Sequence, residues 1–187
     1  MKNLEKIVYD KLIEHPKRIN HTKGVIQTAV NLCKAHGVNE NDCYLAALFH
    51  DYTKYDTVEV HEKYLGKEFI KKYEKQPFLY HPYSGAIALK ELVPEVSDYV
   101  LNAIRYHTWC RPNATKLDKI IFIADKCEPN RVYPDAKMIY ELALKDLDEA
   151  LIYALKSNVK HLETKNLFPH PDQIKTLVHY QVKKENL

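Results

Sequence analysis

Apolar residues recur at intervals of three and four along almost the whole chain, and this spacing restricts the fold more than any other feature. Such intervals place side chains on one face of an α-helix, whereas a half-buried strand would alternate at a period of two, which no stretch shows convincingly. Only 4 of the 187 residues are glycine, which disfavours a turn-rich β fold. The sequence therefore predicts an all-α fold, formed by a single domain over residues 1–187.

Residues that start and stop helices divide this pattern into separate elements. Gly37 is a typical helix end, Asn39 or Asn41 a typical helix start, and Thr115 with Asp118 resembles a capping box. The helix that starts at Pro134-Asp135 is expected to be the longest. The predicted helices cover residues 4–12, 20–37, 39–50, 57–73, 82–92, 94–107, 117–126, 134–155 and 171–184.

The charge balance excludes some partners. The chain has 28 basic and 25 acidic side chains, a formal net charge of +3, and its basic residues are scattered. Nucleic-acid-binding proteins usually carry a strongly basic patch, so we expect no nucleic-acid partner. No apolar run approaches the roughly 18 residues of a membrane span, and residues 1–6 lack the apolar segment of a secretory signal. We therefore expect a cytoplasmic protein with no membrane partner.

The four cysteines fit the same location. Cys33, Cys43, Cys110 and Cys127 form no Cys-x-x-Cys pair and no spacing typical of a disulfide framework. Thiols in a cytosol of the bacterial type stay reduced. We expect four reduced cysteines, most of them buried.

Ionisable residues occupy several positions that the helical spacing turns toward the core. His50 follows Cys43 and Ala46 at core spacing, with Asp51 next to it, and His107 and Asp125 continue two other apolar faces. A single histidine in such a place is usually a hydrogen-bonded core residue, and a single aspartate is often a cap. Two carboxylates and two imidazoles together need a common explanation, because a buried carboxylate is costly unless it is paired or binds a metal.

Imidazole and carboxylate groups without a thiolate favour Fe, Mn or Mg over a structural zinc site. Two such ions could activate a water and bind a phosphoryl group during hydrolysis. Other catalytic motifs are missing from the sequence. His61-Glu62 begins a zinc-protease pattern, but Leu65 stands where the second histidine belongs, and there is no Glu-x-x-His, phosphate-binding loop or Gly-x-Ser-x-Gly elbow.

The ordered set His21, His50-Asp51 and Asp125 on a helical chain resembles the HD-domain metal-dependent phosphohydrolases. His81 and His107, placed between the His-Asp pair and the last aspartate, resemble the additional ligands of HD proteins that bind two metals. Segments 18–22, 48–54, 81–86, 103–108 and 118–131 look like those of the YqeK family. These are bacterial symmetrical diadenosine tetraphosphate hydrolases with a di-iron centre, which release two molecules of ADP.

The resemblance implies a set of metal ligands. One ion would be held by His21, His50, Asp51 and Asp125, and the other by His81, His107 and a bridging Asp51. The expected cofactors are two divalent ions, most simply iron, with Mn and Mg left open. Pro82 and Lys23 depart from the expected pattern, but neither removes a ligand.

The resemblance also implies phosphate-binding residues. Lys54, Arg18 and Arg131 would bind the phosphates and stabilise charge during attack by a metal-activated hydroxide, with Asp51 as the central catalytic carboxylate. Surface positions are the alternative for all three cations. Thr108 would bind a phosphate oxygen or cap its helix. Trp109, the only tryptophan, would stack on adenine or pack in the core.

Other functions stay open at this point. HD proteins also hydrolyse cyclic nucleotides, deoxynucleoside triphosphates and guanosine tetraphosphate, and a non-catalytic nucleotide-sensing module is a different class again. A sensor is disfavoured because all six metal ligands are present. The expected partner is a nucleotide, and a homodimer is left open. The four histidines outside the motifs are expected at the surface: His61, His161, His170 and His179.

Overall fold

The computed structural model describes residues 2–131 and 135–185, and within these residues there are helices and no strand. The helices are α1 (Lys2–Lys11), α2 (Pro16–His36), α3 (Glu40–Phe49), α4 (Val58–Leu65), α5 (Lys67–Lys72), α6 (Tyr80–Leu92), α7 (Asp98–Arg105), α8 (Lys116–Cys127), α9 (Ala136–Ala143), α10 (Leu147–Thr164) and α11 (Pro171–Glu185). A 3-10 turn, Pro77–Leu79, precedes α6. None of these described helices is long and apolar enough to cross a bilayer. The all-α prediction is confirmed.

Several helix ends lie where the sequence predicts them. Gly37 ends α2 in the left-handed conformation, with φ 65°, which glycine adopts more readily than other residues. The side chain of Asn39 accepts hydrogen bonds from two backbone N–H groups in the first turn of α3. Thr115 and Asp118 form the predicted capping box at the start of α8. Local capping chemistry therefore sets these boundaries.

Two predicted helices are each divided in two. Gly66, with φ 79°, separates α4 from α5 within the predicted helix 57–73. Asp146 interrupts the predicted helix 134–155, because its side chain accepts hydrogen bonds from the N–H groups of Asp148 and Glu149 and starts α10. Pro134 lies outside the described residues. The longest described helix is therefore α2, with 21 residues, and not the one predicted to start at Pro134.

Two helix starts also differ from the prediction. α7 begins at Asp98, four residues after the predicted start. α2 begins at Pro16 and not near Asn20, because proline is well suited to the first helical position, where its missing N–H costs nothing. The earlier start of α2 places Arg18 and His21 on one helix, about one turn apart.

The core forms around α2, which packs against α3 and against α8. Ten of the twelve residues of α8 are buried, among them Ile121 and Phe122, which are completely enclosed. Truncating a phenylalanine in such a core to alanine usually costs about 3–5 kcal/mol. Because α8 also carries Asp125, the most buried helix of the fold positions one of the predicted metal ligands.

The expectation of four reduced cysteines is wrong for one pair. Cys33 on α2 and Cys43 on α3 are joined by a disulfide, with their Cα atoms 6.6 Å apart. Both side chains are completely buried where α2 packs against α3, so tertiary packing brings them together. Their separation of ten residues gives no sign of this. Cys110 and Cys127 are buried free thiols.

Candidate metal centre

Six polar side chains meet inside the helical core, and none is more than 6% exposed. They are the six predicted metal ligands: His21 on α2, His50 and Asp51 directly after α3, His81 in the first turn of α6, His107 two residues after the end of α7, and Asp125 in the last turn of α8. His50 was expected as the last residue of the third helix, but α3 ends at Phe49. The structure thus brings all six together from five parts of the chain.

Asp51 lies between two groups of imidazoles. Its Oδ2 atom is 3.2 Å from Nε2 of His50 and 3.8 Å from Nε2 of His21. Its Oδ1 atom is 3.1 Å from Nε2 of His81 and 3.6 Å from Nε2 of His107. Each carboxylate oxygen therefore belongs to a different cluster of potential ligands.

Asp125 completes the first of these clusters. Its Oδ1 atom is 3.0 Å from Nε2 of His21 and 4.0 Å from Nε2 of His50. The two imidazoles are 3.2 Å apart, measured between their Nε2 atoms. Two nitrogens and two carboxylate oxygens thus converge on one small volume, as a cation with mixed N and O ligands requires.

Hydrogen bonds on the far side of three imidazole rings direct their Nε2 atoms toward the centre. Nδ1 of His50 donates to the carbonyl oxygen of Ala47, and Nδ1 of His107 donates to that of Ile104, both at 2.7 Å. Nδ1 of His21 lies 3.1 Å from Oε1 of Glu128. A metal-binding histidine is normally fixed in this way by a partner on its other nitrogen.

Glu128 contacts a predicted metal ligand, His21, and was not singled out from the sequence. It directly follows α8, is only 2% exposed, and accepts a hydrogen bond at 2.7 Å from the backbone N–H of Asn130 through Oε2. The sequence contained one signal, since Glu128 lies within the segment that resembles the YqeK family. Its pairing with His21, 107 residues away, could not be inferred from spacing.

The protonation states suit metal binding. Burial lowers the pKa of His81 to about 3 and also lowers the pKa of His107, so both rings are neutral at pH 7. Burial by itself would raise the pKa of Asp51, but the nearby His50 and Lys54 outweigh it and hold that pKa well below the usual range. Neutral imidazole and ionised carboxylate are the forms that bind divalent metals.

Four cations surround the two carboxylates. Nη1 of Arg18 is 2.6 Å from Asp51 Oδ2, and Nζ of Lys54 is 3.3 Å from Asp51 Oδ1. Lys126 and Arg131 reach Asp125 at 2.7 and 2.8 Å. Lys126 was not predicted. Burial raises the pKa of Asp125, but the charge of Lys126 with further partners reverses this and lowers it strongly.

The donor set fits divalent metal ions. Oδ1 of Asp51 is completely buried and makes no hydrogen bond to the described residues, although two imidazole nitrogens and the Nζ atom of Lys54 lie within 3.6 Å of it. A buried carboxylate needs positive charge beside it, which Lys54 supplies in part and a bound divalent ion would complete. With nitrogen and oxygen ligands and no thiolate, the set suits Fe, Mn or Mg and not a structural zinc site.

A chain of buried hydroxyl groups supports the second cluster. Thr53 Oγ1 donates to the carbonyl oxygen of His81 at 2.9 Å and lies 2.8 Å from Ser84 Oγ. Nδ1 of His61 lies 2.9 Å from the same Ser84 oxygen. The prediction that His61 is a surface residue is wrong, because α4 packs on α6 and leaves its side chain only 5% exposed.

The predicted phosphate-binding residues lie around the entrance to this centre. The side chains of Arg18, Lys54 and Arg131 are 20%, 32% and 38% exposed, so solvent reaches all three. Thr108 is half-buried beside His107, and its hydroxyl group has no partner among the described residues.

The remaining predicted residues are Trp109 and three of the histidines outside the motifs. Trp109 is 4% exposed and stacks on His170, with ring centroids 5.0 Å apart, so core packing accounts for most of its surface. His161 is exposed as expected, whereas His170 and His179 are half-buried.

Comparison with known proteins gives a consistent result. The HD-domain model matches residues 18–130. The symmetrical bis(5'-nucleosyl)-tetraphosphatase of Bacillus subtilis is 36% identical over 90% of this chain and 91% of its own length. The protein of the same name from Halalkalibacterium halodurans is 39% identical over 91% of this chain and 91% of its own length. Among solved structures, a protein from Clostridium acetobutylicum, described as a predicted HD superfamily hydrolase involved in NAD metabolism, has a TM-score of 0.88 and 28% identity over 97% of each chain.

Proposed function

This chain belongs to the HD-domain family and is a metal-dependent phosphohydrolase of nucleoside polyphosphates, and from that premise we propose that it cleaves diadenosine tetraphosphate symmetrically into two molecules of ADP. One observation carries the proposal: the two oxygens of Asp51 face separate imidazole clusters, the arrangement that a bridged two-metal site needs. The substrate follows from the relatives, three of which are named symmetrical bis(5'-nucleosyl)-tetraphosphatases.

We propose that the six side chains hold two iron ions. His21, His50 and Asp125 with Oδ2 of Asp51 would hold one, and His81 and His107 with Oδ1 of Asp51 would hold the other. When bound, such ions supply a water activated at neutral pH and positive charge at the phosphoryl group. Glu128 would fix the ring of His21, and the backbone carbonyls of Ala47 and Ile104 those of His50 and His107.

We propose that the cations at the entrance bind the tetraphosphate. Arg18, Lys54 and Arg131 each contact a metal-site carboxylate while remaining accessible to solvent, so a phosphate chain can reach them. Positive groups placed before the reaction stabilise the charge that develops on the phosphoryl oxygens. The unpaired hydroxyl of Thr108 would donate a hydrogen bond to another phosphate oxygen.

Three further expectations stay predictions. A single domain over residues 1–187 and a homodimer are tested by limited proteolysis and by size-exclusion chromatography with light scattering. We propose a cytoplasmic location because the proposed substrate is a nucleotide of the cell interior. The sensor alternative gains no support, since all six potential ligands converge in one place.

Product analysis tests the proposal directly. Protein loaded with Fe(II) under anaerobic conditions is incubated with diadenosine tetraphosphate, beside a chelated control. We expect ADP as the sole product, and loss of turnover in the chelated sample. ATP with AMP would contradict symmetrical cleavage. No turnover would reject this substrate, and a panel of cyclic nucleotides, deoxynucleoside triphosphates and guanosine tetraphosphate would then identify the reaction.

A further inference from the structure

An aromatic-lined cavity of about 400 Å³ opens beside the metal centre. Its walls include Phe78, Trp109, Leu162, Phe168, His170 and Gln173. Phe168 is 96% exposed and Phe78 is 51% exposed, which leaves two aromatic rings in water at the cavity. A group of exposed apolar side chains around a concave surface is typical of a ligand-binding site.

The cavity is lined by residues that are close in sequence to three of the candidate metal ligands. Phe78 precedes His81 by three residues, Trp109 follows His107 by two, and Lys126 follows Asp125 directly. Lys126 lines the cavity, and its Nζ atom is 2.7 Å from Oδ2 of Asp125. Thr108, with its unpaired hydroxyl, lines the same cavity. A molecule in the cavity therefore lies next to polar groups that lead to the metal centre.

One buried polar group in the cavity wall has no partner. Gln173 is only 3% exposed, and its Nε2 atom is completely buried without a hydrogen bond to the described residues. An unpaired buried donor is unfavourable and indicates a missing acceptor. The neighbouring wall is held in place, because the ring of His170 stacks on Trp109 at an interplanar angle of 25°.

We propose that this cavity binds a purine base of the substrate, with the aromatic side chains against its ring faces and the buried carboxamide of Gln173 turning so that Nε2 donates to a ring nitrogen. A flat heterocycle matches both features, since bases stack on aromatic side chains and a carboxamide pairs with adenine edges. Lys126 and Thr108 then lie toward the phosphates. The choice of adenine as the base rests on the proposed function.

Trp109 provides the measurement, because it is the only tryptophan and borders the cavity. ADP is titrated into metal-loaded protein and followed by tryptophan fluorescence, while inorganic pyrophosphate binding is followed by calorimetry. We expect Phe168→Ala and Gln173→Met to weaken ADP binding about tenfold and to leave pyrophosphate binding unchanged. Leu92→Ala, an exposed apolar residue at the far end of α6 from His81, is the matched control and should bind ADP normally.

Steady-state kinetics separates this inference from the proposed function. We expect both cavity variants to raise KM for diadenosine tetraphosphate with kcat within about twofold of the original. If both cavity variants turn over diadenosine tetraphosphate with unchanged KM and bind ADP with unchanged affinity, the base site is rejected and the proposed function stands. If ADP binding depends on Phe168 but the protein does not turn over diadenosine tetraphosphate, the base site stands and the proposed function is rejected. Should Gln173→Met not fold, Phe168→Ala decides alone, because that side chain is almost fully exposed.

Discussion

The carboxylate of Glu128 fills the space that a side chain at position 24 would need. A Cβ atom built on Gly24 would lie 2.1 Å from Oε2 of Glu128, and 3.0 Å from Nδ2 of Asn130. The same carboxylate lies 3.1 Å from Nδ1 of His21, one turn earlier on α2. The hydrogen bond that orients His21, a predicted metal ligand, is thus possible because Gly24 has no side chain.

Gly24→Ala should therefore weaken metal binding without unfolding the protein. The flexible end of Glu128 would move away and leave His21 without its partner, a loss that usually lowers metal affinity about 10–100-fold. Alanine should meanwhile favour the helical state of α2, by up to about 1 kcal/mol. Metal titration together with thermal unfolding of the metal-free protein measures both effects.

Glu128→Ala is the matched variant for this pair. It should lower metal affinity to a similar degree, and the double variant should be little worse than either single one, because both changes remove the same contact. If the losses of metal affinity add up in the double variant, Gly24 affects metal binding otherwise than through the contact between Glu128 and His21.

Asp51 and Asp125 should differ in the number of ions that they hold. Asp51 faces both imidazole clusters, whereas Asp125 faces only the cluster of His21 and His50. We expect Asp51→Asn to lose both ions and Asp125→Asn to retain one, as measured by metal analysis of anaerobically purified protein. Two ions bound to the Asp51 variant would contradict the bridge.

Lys54→Met should reduce turnover while the metals stay bound. Lys54 is 3.3 Å from Asp51 and accessible to the substrate, and removing one preorganised positive group commonly costs about 10²–10³-fold in kcat. Lys63→Met, an exposed lysine on α4, is the control and should have normal kinetics. Equal losses in both variants would mean that general surface charge, and not this position, is responsible.

The lowered pKa of His61 should reduce the free energy of unfolding in mild acid. Burial lowers its pKa below 6.5, so between that lowered pKa and 6.5 the unfolded chain binds a proton that the folded protein does not. The contribution of His61 is therefore complete above pH 6.5 and declines as the pH falls, by no more than about 1.4 kcal/mol per pH unit. Urea unfolding measures the free energy of unfolding at pH 7.5 and at pH 5.5. The difference between these two values should be smaller for His61→Gln than for the original protein.

Helical periodicity in the sequence alone predicted part of the candidate site. Helical spacing predicted that His50, His107 and Asp125 face the core, and the structure places all three among the six buried candidate ligands. The resemblance supplied His21 and His81, which no apolar stripe identifies. Their roles in metal binding stay predictions, although the geometry suits them.

Long-range pairing accounts for most of what the sequence analysis missed. Glu128 reaches His21 across 107 residues, and the bond between Cys33 and Cys43 depends on how α2 meets α3. Periodicity describes which face of a helix is buried but not what it meets there. The break at Asp146 is different, because an aspartate three residues before Glu149 is a local helix-start signal that the long apolar stripe outweighed.

The arrangement on α2 limits how this part of the chain can change in length. Arg18, His21 and Gly24 lie at intervals of three on this helix, where Arg18 is a predicted phosphate contact, His21 is a predicted metal ligand and Gly24 leaves the space for Glu128. One inserted residue between Arg18 and Gly24 would rotate everything before it by about 100° relative to the rest, and would turn at least one of the three away from the other two. Insertions between relatives should therefore avoid this stretch of α2 and gather in exposed turns such as residues 74–75, where nothing has to keep its angular register.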